Sequence, residues 1–216
     1  MSFAAVIFDF DGTLADGYAA ITASVNHVRA SRNFPPLTAD EVKRFVGRGP
    51  EYLLTHTVPN SDLAADIACY RAHHPSVLIE GTHLLPGAAE VVAALHRAGK
   101  RLGLCSNKPR SFSQPLLHHF GLASCFSVVL GPDDVARPKP APDMLDTAIA
   151  RLEVPKSQVL YIGDMTVDIE TARAAGVTVW VVPTGSDYRA TLAAARPDRL
   201  LDGLRDVLGQ AAGGTK

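Results

Sequence analysis

Two carboxylates follow the first strand-like segment of the chain. Ala4 to Phe8 is an almost continuous apolar run, which predicts a strand buried on both faces. Asp9 and Asp11 come next, and because side chains alternate along an extended backbone, both point to the same side, about 6 to 7 Å apart. An acid at the end of a buried strand is costly to desolvate unless it is paired or holds a cation. Asp9 therefore predicts a functional site, whereas Asp11, followed by Gly12, could equally begin a turn.

Polar residues also follow the later strand-like segments. Ser106 and Asp164 come after apolar runs, and Asp168 falls in the first turn of a predicted helix. Lys139 lies between two prolines, which restrict its backbone on both sides. Taken singly, Ser106 could cap a helix and Asp168 could interact with a helix dipole. Because the carboxyl ends of parallel strands meet at one edge of a sheet, we expect all four side chains near Asp9.

The predicted secondary structure differs between the first third of the chain and the remainder. From Asp16 to about Leu85, apolar residues recur at helical spacing, which predicts about four helices and no strand. After Gly87, helices and strands alternate, which predicts a parallel sheet with right-handed crossovers and helices on both faces. A last helix is predicted from Leu200 to Leu208.

The expected architecture is an α/β fold in two parts. Residues 1–15 and 86–216 would form a doubly wound core with a parallel sheet, and residues 16–85 would form an all-helical domain inserted after the first strand. Because the insertion leaves the end of the strand that precedes Asp9 and Asp11, we expect it to cover the site like a lid.

Composition excludes several classes of protein. The chain has 216 residues, of which 47% are hydrophobic, and a formal net charge of −1, so nothing indicates a nucleic-acid partner. No run approaches the ~20 apolar residues of a membrane span. Three cysteines without a CxxC pair favour a reducing compartment. We expect a cytoplasmic protein, monomeric or homodimeric, with no nucleic-acid or membrane partner.

Three carboxylates, a lysine and a hydroxyl would form a site of mixed charge. Oxygen ligands with few nitrogens or sulfurs select Mg²⁺ rather than zinc or copper. A magnesium ion and a lysine would neutralise the oxygens of a phosphoryl group, which carboxylates alone would repel. Phosphoryl transfer to a carboxylate nucleophile is the chemistry that fits these residue types.

In its motifs the chain resembles the haloacid dehalogenase superfamily. The segment from Asp9 to Thr13 matches the first motif of that superfamily, Ser106 the second, Lys139 the third, and Asp164 with Asp168 the fourth. The helical insertion resembles the cap of the phosphoglycolate phosphatase-like branch. The resemblance implies a Rossmann-like core and a Mg²⁺-dependent phosphoric monoester hydrolase.

The resemblance also implies roles for the acidic residues. Asp9 would attack phosphorus and become an aspartyl-phosphate, and Asp11 would act as general acid and then general base. Mg²⁺ would be held by Asp9, by the backbone carbonyl of Asp11 and by Asp164. Asp168 would either bind the ion directly or lie just behind its ligands.

The resemblance places three further residues around the transferring group. Ser106, the backbone around Asn107, and Lys139 would bind the phosphoryl oxygens. The cap would select the leaving group, and Arg48, which lies between two glycines, could either reach an anionic group of the substrate or face solvent. Thr13 suits the phosphatases of the superfamily and is a further candidate for substrate binding.

The expected substrate is a small phosphorylated metabolite, with 2-phosphoglycolate the first choice. A sugar-phosphate or nucleotide phosphatase and a phosphomutase of the same superfamily are the enzymatic alternatives. A phospho-aspartate signalling module is the non-enzymatic alternative. Receiver modules, however, carry the acid pair and the acceptor aspartate on different strands, whereas Asp9 and Asp11 follow the same one.

Overall fold

The computed structural model describes residues 3–211, which contain a six-stranded parallel sheet with β1 near its centre. Its strands are β1 (Ala5–Phe8), β4 (Arg101–Cys105), β5 (Val128–Leu130), β6 (Val159–Gly163), β7 (Thr178–Val181) and β8 (Arg199–Leu200). They lie in the order β5-β4-β1-β6-β7-β8, and each neighbouring pair is parallel. Strands β4 and β6 flank β1, so the segments that follow these three strands leave the sheet side by side.

Helices cover both faces of the sheet, which explains why β1 is apolar at every position. Val6 and Phe8 belong to one apolar cluster, and Ala5 and Ile7 belong to the other. The first cluster includes residues of α5 (Ala88–Arg97), α6 (Arg110–His119) and α10 (Asp206–Ala211), and the second those of α7 (Asp143–Leu152), α8 (Thr166–Ala175) and α9 (Arg189–Ala194). The predicted doubly wound, Rossmann-like core is confirmed.

A helical cap is inserted after β1, as predicted. Its helices are α1 (Tyr18–Ser31), α2 (Ala39–Lys43), α3 (Pro50–Thr57) and α4 (Leu63–Leu78). The prediction of no strand between Asp16 and Leu85 was wrong at the two ends of the cap, where the outgoing and returning chains pair as short antiparallel strands, β2 (Ala15–Asp16) and β3 (His83–Leu84). Strands of two residues leave no alternating pattern in the sequence. The exact domain boundaries, at residues 16 and 85, stay a prediction. Within residues 3–211, no helix has the length and apolar character needed to cross a bilayer.

The C-terminal segment differs from its prediction. In place of a helix from Leu200 to Leu208, the chain forms β8, which pairs with β7, and then α10. The Asp206 carboxylate accepts hydrogen bonds from the backbone N–H groups of Asp202 and Gly203, at 2.9 and 3.1 Å. The helix therefore begins at Asp206 and not at Leu200. Helical spacing of the leucines was misleading because pairing at the sheet edge outweighs a local helical preference.

Candidate active site

Asp9, Ser106 and Asp164 lie together at the carboxyl edge of the sheet. They follow β1, β4 and β6, which are neighbours. All three are almost fully buried, with 5%, 3% and 0% of their surfaces exposed. Parallel pairing thus brings together residues more than 150 positions apart in the chain.

Lys139 is the buried cation of this site. Its Nζ lies 2.9 Å from Asp9 Oδ1 and 2.7 Å from Asp168 Oδ1, and it donates a hydrogen bond of 3.0 Å to Tyr161 Oη. Burial opposes the ammonium charge, but Asp168 and Asp9 together raise the pKa of Lys139. Lys139 therefore stays protonated and holds a fixed positive charge beside Asp9.

Asp9, Asp164 and Asp168 form an acidic triad that could hold a metal ion. One carboxylate oxygen from each lies within 4.8 Å of the others. Burial, with Asp168 and Asp9 nearby, raises the pKa of Asp164 well above its usual value. Burial likewise raises the pKa of Asp9 to about 6, against the opposing effect of Lys139. A divalent cation would relieve both the desolvation and the repulsion that cause these shifts.

Asp164 and Asp168 differ in their hydrogen-bond partners. Asp164 Oδ1 accepts a hydrogen bond of 2.8 Å from Thr13 Oγ1, whereas its buried Oδ2 has no hydrogen-bond partner among the described residues. Asp168 Oδ2 accepts the backbone N–H groups of Asp164 and Met165, and its Oδ1 faces Lys139. Asp164 therefore offers a free oxygen to a cation, while Asp168 orients the turn and the lysine.

Backbone comes unusually close to the Asp164 carboxylate. Gly12, with a φ of +84°, and Gly185 both approach it so closely that a Cβ on either would overlap with its atoms. The Thr184 hydroxyl donates a hydrogen bond of 2.6 Å to the Gly12 carbonyl and ties the two loops together. Because Gly12 and Gly185 lack side chains, the backbone packs directly against the Asp164 carboxylate. The space left beside it suits an ion better than a larger ligand.

Asp11 lies on the cap side of the site and pairs with Lys108. Lys108 Nζ is 3.0 Å from Asp11 Oδ2 and 3.3 Å from Oδ1, and the two side chains are 4% and 11% exposed. Both residues line a cavity of about 50 Å³ between the core and the cap. Asp9, Ser106 and Asn107 also line it, so this cavity opens onto the proposed nucleophile.

The Asn107 side chain connects the cap to Lys139. Its Nδ2 donates to the Gly47 carbonyl at 3.0 Å and to the Lys139 carbonyl at 3.1 Å, and its Oδ1 accepts the Lys139 N–H at 3.1 Å. The amide group is therefore fully engaged with protein. If this residue binds the phosphoryl group, the contact must come from its backbone, as the resemblance to the superfamily implied.

The comparisons with known proteins settle the family. Residues 6–182 match the family described as haloacid dehalogenase-like hydrolase. The chain belongs to this family. Phosphoglycolate phosphatases from Salmonella typhi and Rhodospirillum rubrum are 32% and 36% identical to it, over 94% and 84% of this chain and 90% and 80% of theirs.

A solved structure supports the same assignment. The crystal structure described as a predicted phosphoglycolate phosphatase from Haemophilus somnus 129pt aligns with a TM-score of 0.91 at 25% identity, covering 97% of this chain and 98% of the other. The hydrolase therefore falls in the phosphoglycolate phosphatase-like branch, and its enzyme class is phosphoric monoester hydrolase.

The two residues that the sequence offered for substrate binding, Thr13 and Arg48, do not line the cavity of this hydrolase. Thr13 is buried and its hydroxyl is bonded to Asp164, so its contact is with the triad. Arg48 is exposed, and its guanidinium lies 5.7 Å from the centre of the Tyr52 ring. Substrate binding by these two residues stays a prediction.

Sequence reasoning missed three residues of the hydrolase's site. Tyr161 contacts Lys139 and Asp168, and Lys108 pairs with Asp11. His74, a buried residue of α4, lines the cavity from the cap. A tyrosine within an otherwise apolar strand was the available signal for Tyr161, and the position next to Asn107 was the signal for Lys108.

Proposed function

We propose that this hydrolase is a Mg²⁺-dependent phosphatase of small phosphorylated metabolites, with 2-phosphoglycolate as its substrate. The observation that carries the proposal is the arrangement of the two acids: Asp9 contacts Lys139 and forms the acidic triad with Asp164 and Asp168, while Asp11 pairs with Lys108 in the cavity under the cap. The two acids thus have separate surroundings, one suited to a phosphoryl group and the other to a leaving alcohol.

In the first step, an Asp9 carboxylate oxygen attacks phosphorus and the ester oxygen leaves. Asp11 donates a proton to that oxygen as the bond breaks, so that a hydroxyl group rather than an alkoxide departs. Lys139, Ser106 and the backbone around Asn107 bind the phosphoryl oxygens and stabilise their charge in the transition state. The product of this step is an aspartyl-phosphate on Asp9.

In the second step, water hydrolyses the aspartyl-phosphate. Asp11, now a carboxylate, takes a proton from the water as it attacks phosphorus, and Asp9 is released together with inorganic phosphate. One acid can serve both steps because the leaving alcohol and the incoming water use the same side of phosphorus.

The acidic triad fits a Mg²⁺ ion. Asp9, Asp164 and the backbone carbonyl of Asp11 would hold it, and Asp168 would orient Asp164 from behind. When bound, the ion neutralises negative charge on the phosphoryl group. Asp164 Oδ2, which has no hydrogen-bond partner in the described part of the chain, and the purely oxygen donor set support this assignment.

The substrate is inferred from the relatives. The named relatives are phosphoglycolate phosphatases. A sugar phosphate, a nucleotide and a mutase substrate stay the alternatives. We also propose that residues 16–85 act as a lid and that the enzyme works in the cytoplasm.

The test is phosphate release from a panel of esters, with Mg²⁺ and with a chelator. The panel contains 2-phosphoglycolate, hexose phosphates and nucleoside monophosphates. We expect metal-dependent release that is fastest with 2-phosphoglycolate. No release from any ester, together with a long-lived phosphorylated Asp9 after treatment with acetyl phosphate, would contradict the proposal and favour the signalling module.

A further inference from the structure

Lys108 is a buried cation that the reaction described above does not use. It lies in the turn between β4 and α6, and its side chain is only 4% exposed. Burying an ammonium group is costly unless it is paired. Its ion-pair partner is Asp11, the proposed general acid.

The position of Lys108 relative to Asp11 determines which part of a substrate it can reach. Asp11 must contact the ester oxygen in order to protonate it, and Lys108 Nζ is 3.0 Å from Asp11 Oδ2. A group bound by Lys108 would therefore lie beside the ester oxygen, on the alcohol side. A substituent on the carbon that bears the ester oxygen satisfies this condition.

The remainder of the cavity carries no other permanent positive charge among its described residues. Its cap side consists mainly of apolar side chains with one tyrosine and one histidine: Ile21, Val46, Leu53, Tyr70 and His74. Burial, with Lys108 nearby, lowers the pKa of His74 to about 3, so this histidine is neutral near pH 7. An anion in the cavity would therefore have Lys108 as its counter-ion, in surroundings of low polarity where the attraction is strong.

We propose that Lys108 binds a carboxylate carried by the carbon next to the ester oxygen, and so selects phosphate esters of 2-hydroxy acids. This inference rests on the proposed phosphatase function and deepens it. During substrate binding, the carboxylate replaces Asp11 as the main partner of Lys108, and Asp11 becomes available to the ester oxygen. Lys108 is then a specificity-determining residue in the core domain rather than in the cap.

Arg48 is the competing candidate for the same role. It is a cation of the cap loop, but it is exposed and lies against Tyr52, whereas its neighbours Gly47 and Gly49 line the cavity. Lys108 is already inside the cavity and next to Asp11. The geometry therefore favours Lys108.

The test compares two esters that differ in the carboxylate. In ethyl phosphate, a methyl group replaces the carboxylate of 2-phosphoglycolate. The measured quantity is the ratio of kcat/KM for 2-phosphoglycolate to kcat/KM for ethyl phosphate. We expect Lys108→Met to lower this ratio by roughly 30- to 100-fold, the usual effect of losing a hydrogen bond between charged groups. Arg48→Met tests the competing cation of the cap loop, and we expect it to change the ratio less than about threefold.

A second variant separates charge from folding. Lys108→Arg retains the positive charge, and we expect it to recover most of the ratio. Thermal unfolding of each variant shows whether the protein is folded. Equal losses of kcat/KM for both esters in Lys108→Met would overturn the inference, because Lys108 would then act only through Asp11. A lower ratio in Arg48→Met alone would also overturn it.

The wild-type enzyme distinguishes this inference from the proposed function. If it releases phosphate from neither ester, the proposed phosphatase function fails. If it hydrolyses both equally well, the proposed substrate and the role of Lys108 fail together. A wild-type preference for 2-phosphoglycolate that persists in Lys108→Met would overturn the role of Lys108 alone.

Discussion

Asp168 and Lys139 form an ion pair in which Lys139 Nζ lies 2.7 Å from Asp168 Oδ1, and neither side chain is more than 1% exposed. Asp168 Oδ2 also accepts two backbone N–H groups, from Asp164 and Met165. A single carboxylate thus holds both the cation beside the nucleophile and the turn that carries a proposed metal ligand. Its removal should affect stability as well as activity.

We expect Asp168→Asn to lower the free energy of unfolding by about 3 kcal/mol, the lower end for breaking a buried ion pair, because Lys139 keeps Asp9 as a carboxylate partner. The amide would also direct its N–H groups either at Lys139 or at the backbone donors. Chemical denaturation measures the loss. The matched control is Asp143→Asn, which breaks the exposed pair with Arg137 and should have a much smaller effect. Similar losses in both variants would contradict this role for Asp168.

The two acids after β1 should respond differently to the leaving group. Asp11→Asn should slow hydrolysis of 2-phosphoglycolate by about 10² to 10⁴, the usual contribution of general acid–base catalysis. With p-nitrophenyl phosphate, the rate of the first step should fall less in this variant, because p-nitrophenolate leaves without being protonated. Burst kinetics of p-nitrophenol release measure that step. Asp9→Asn should abolish turnover of both esters, and full activity in that variant would exclude Asp9 as the nucleophile.

Mg²⁺ should stabilise the protein in the absence of substrate. A cation bound to the triad relieves repulsion among three buried carboxylates, and at 100 times its Kd it adds about 2.7 kcal/mol to the free energy of unfolding. Thermal unfolding with Mg²⁺ and with chelator measures the shift. Asp164→Asn should remove most of it, whereas the control Asp16→Asn should retain it, since Asp16 is exposed and its carboxylate accepts the Tyr18 N–H away from the triad. An unchanged shift in Asp164→Asn would place the ion elsewhere.

His74 should make stability depend on pH below 6.5. The pKa of His74 is lowered from 6.5 to about 3 in the fold, mainly by burial, and also by Lys108 and His73. The unfolded chain therefore binds a proton that the folded one does not, so stability is retained above pH 6.5 and lost as the pH falls towards 3. The slope approaches about 1.4 kcal/mol per pH unit for one proton.

The variant His74→Gln tests this dependence. Denaturation at pH 7, 6, 5 and 4 should show a shallower loss of stability on acidification than in the wild type. His96→Gln, which removes an exposed histidine of α5, should retain the wild-type slope. Parallel slopes for the wild type and His74→Gln would show that other groups cause the acid sensitivity.

Most of the fold was predictable from local patterns. The continuous apolar run Ala5–Phe8 predicts a strand buried on both faces, and the helix Asp143–Leu152 repeats its apolar residues at helical spacing and so buries one face. The segment from Leu200 to Leu208 was predicted wrongly, because a two-residue edge strand has no period to detect. Its pairing with β7 depends on a neighbour some 20 residues away.

The acidic residues of the candidate site were also predictable from the sequence, but the side chains that they pair with were not. The sequence by itself determined that Asp9 and Asp11 stand two residues apart directly after a buried apolar strand, and both acids line the cavity. Only the tertiary structure decided that Lys139 pairs with Asp9 and Asp168, and that Lys108 pairs with Asp11 across 97 positions of sequence. Such pairs depend on which strands are neighbours and how each loop leaves the sheet, and these are set by packing of the whole core.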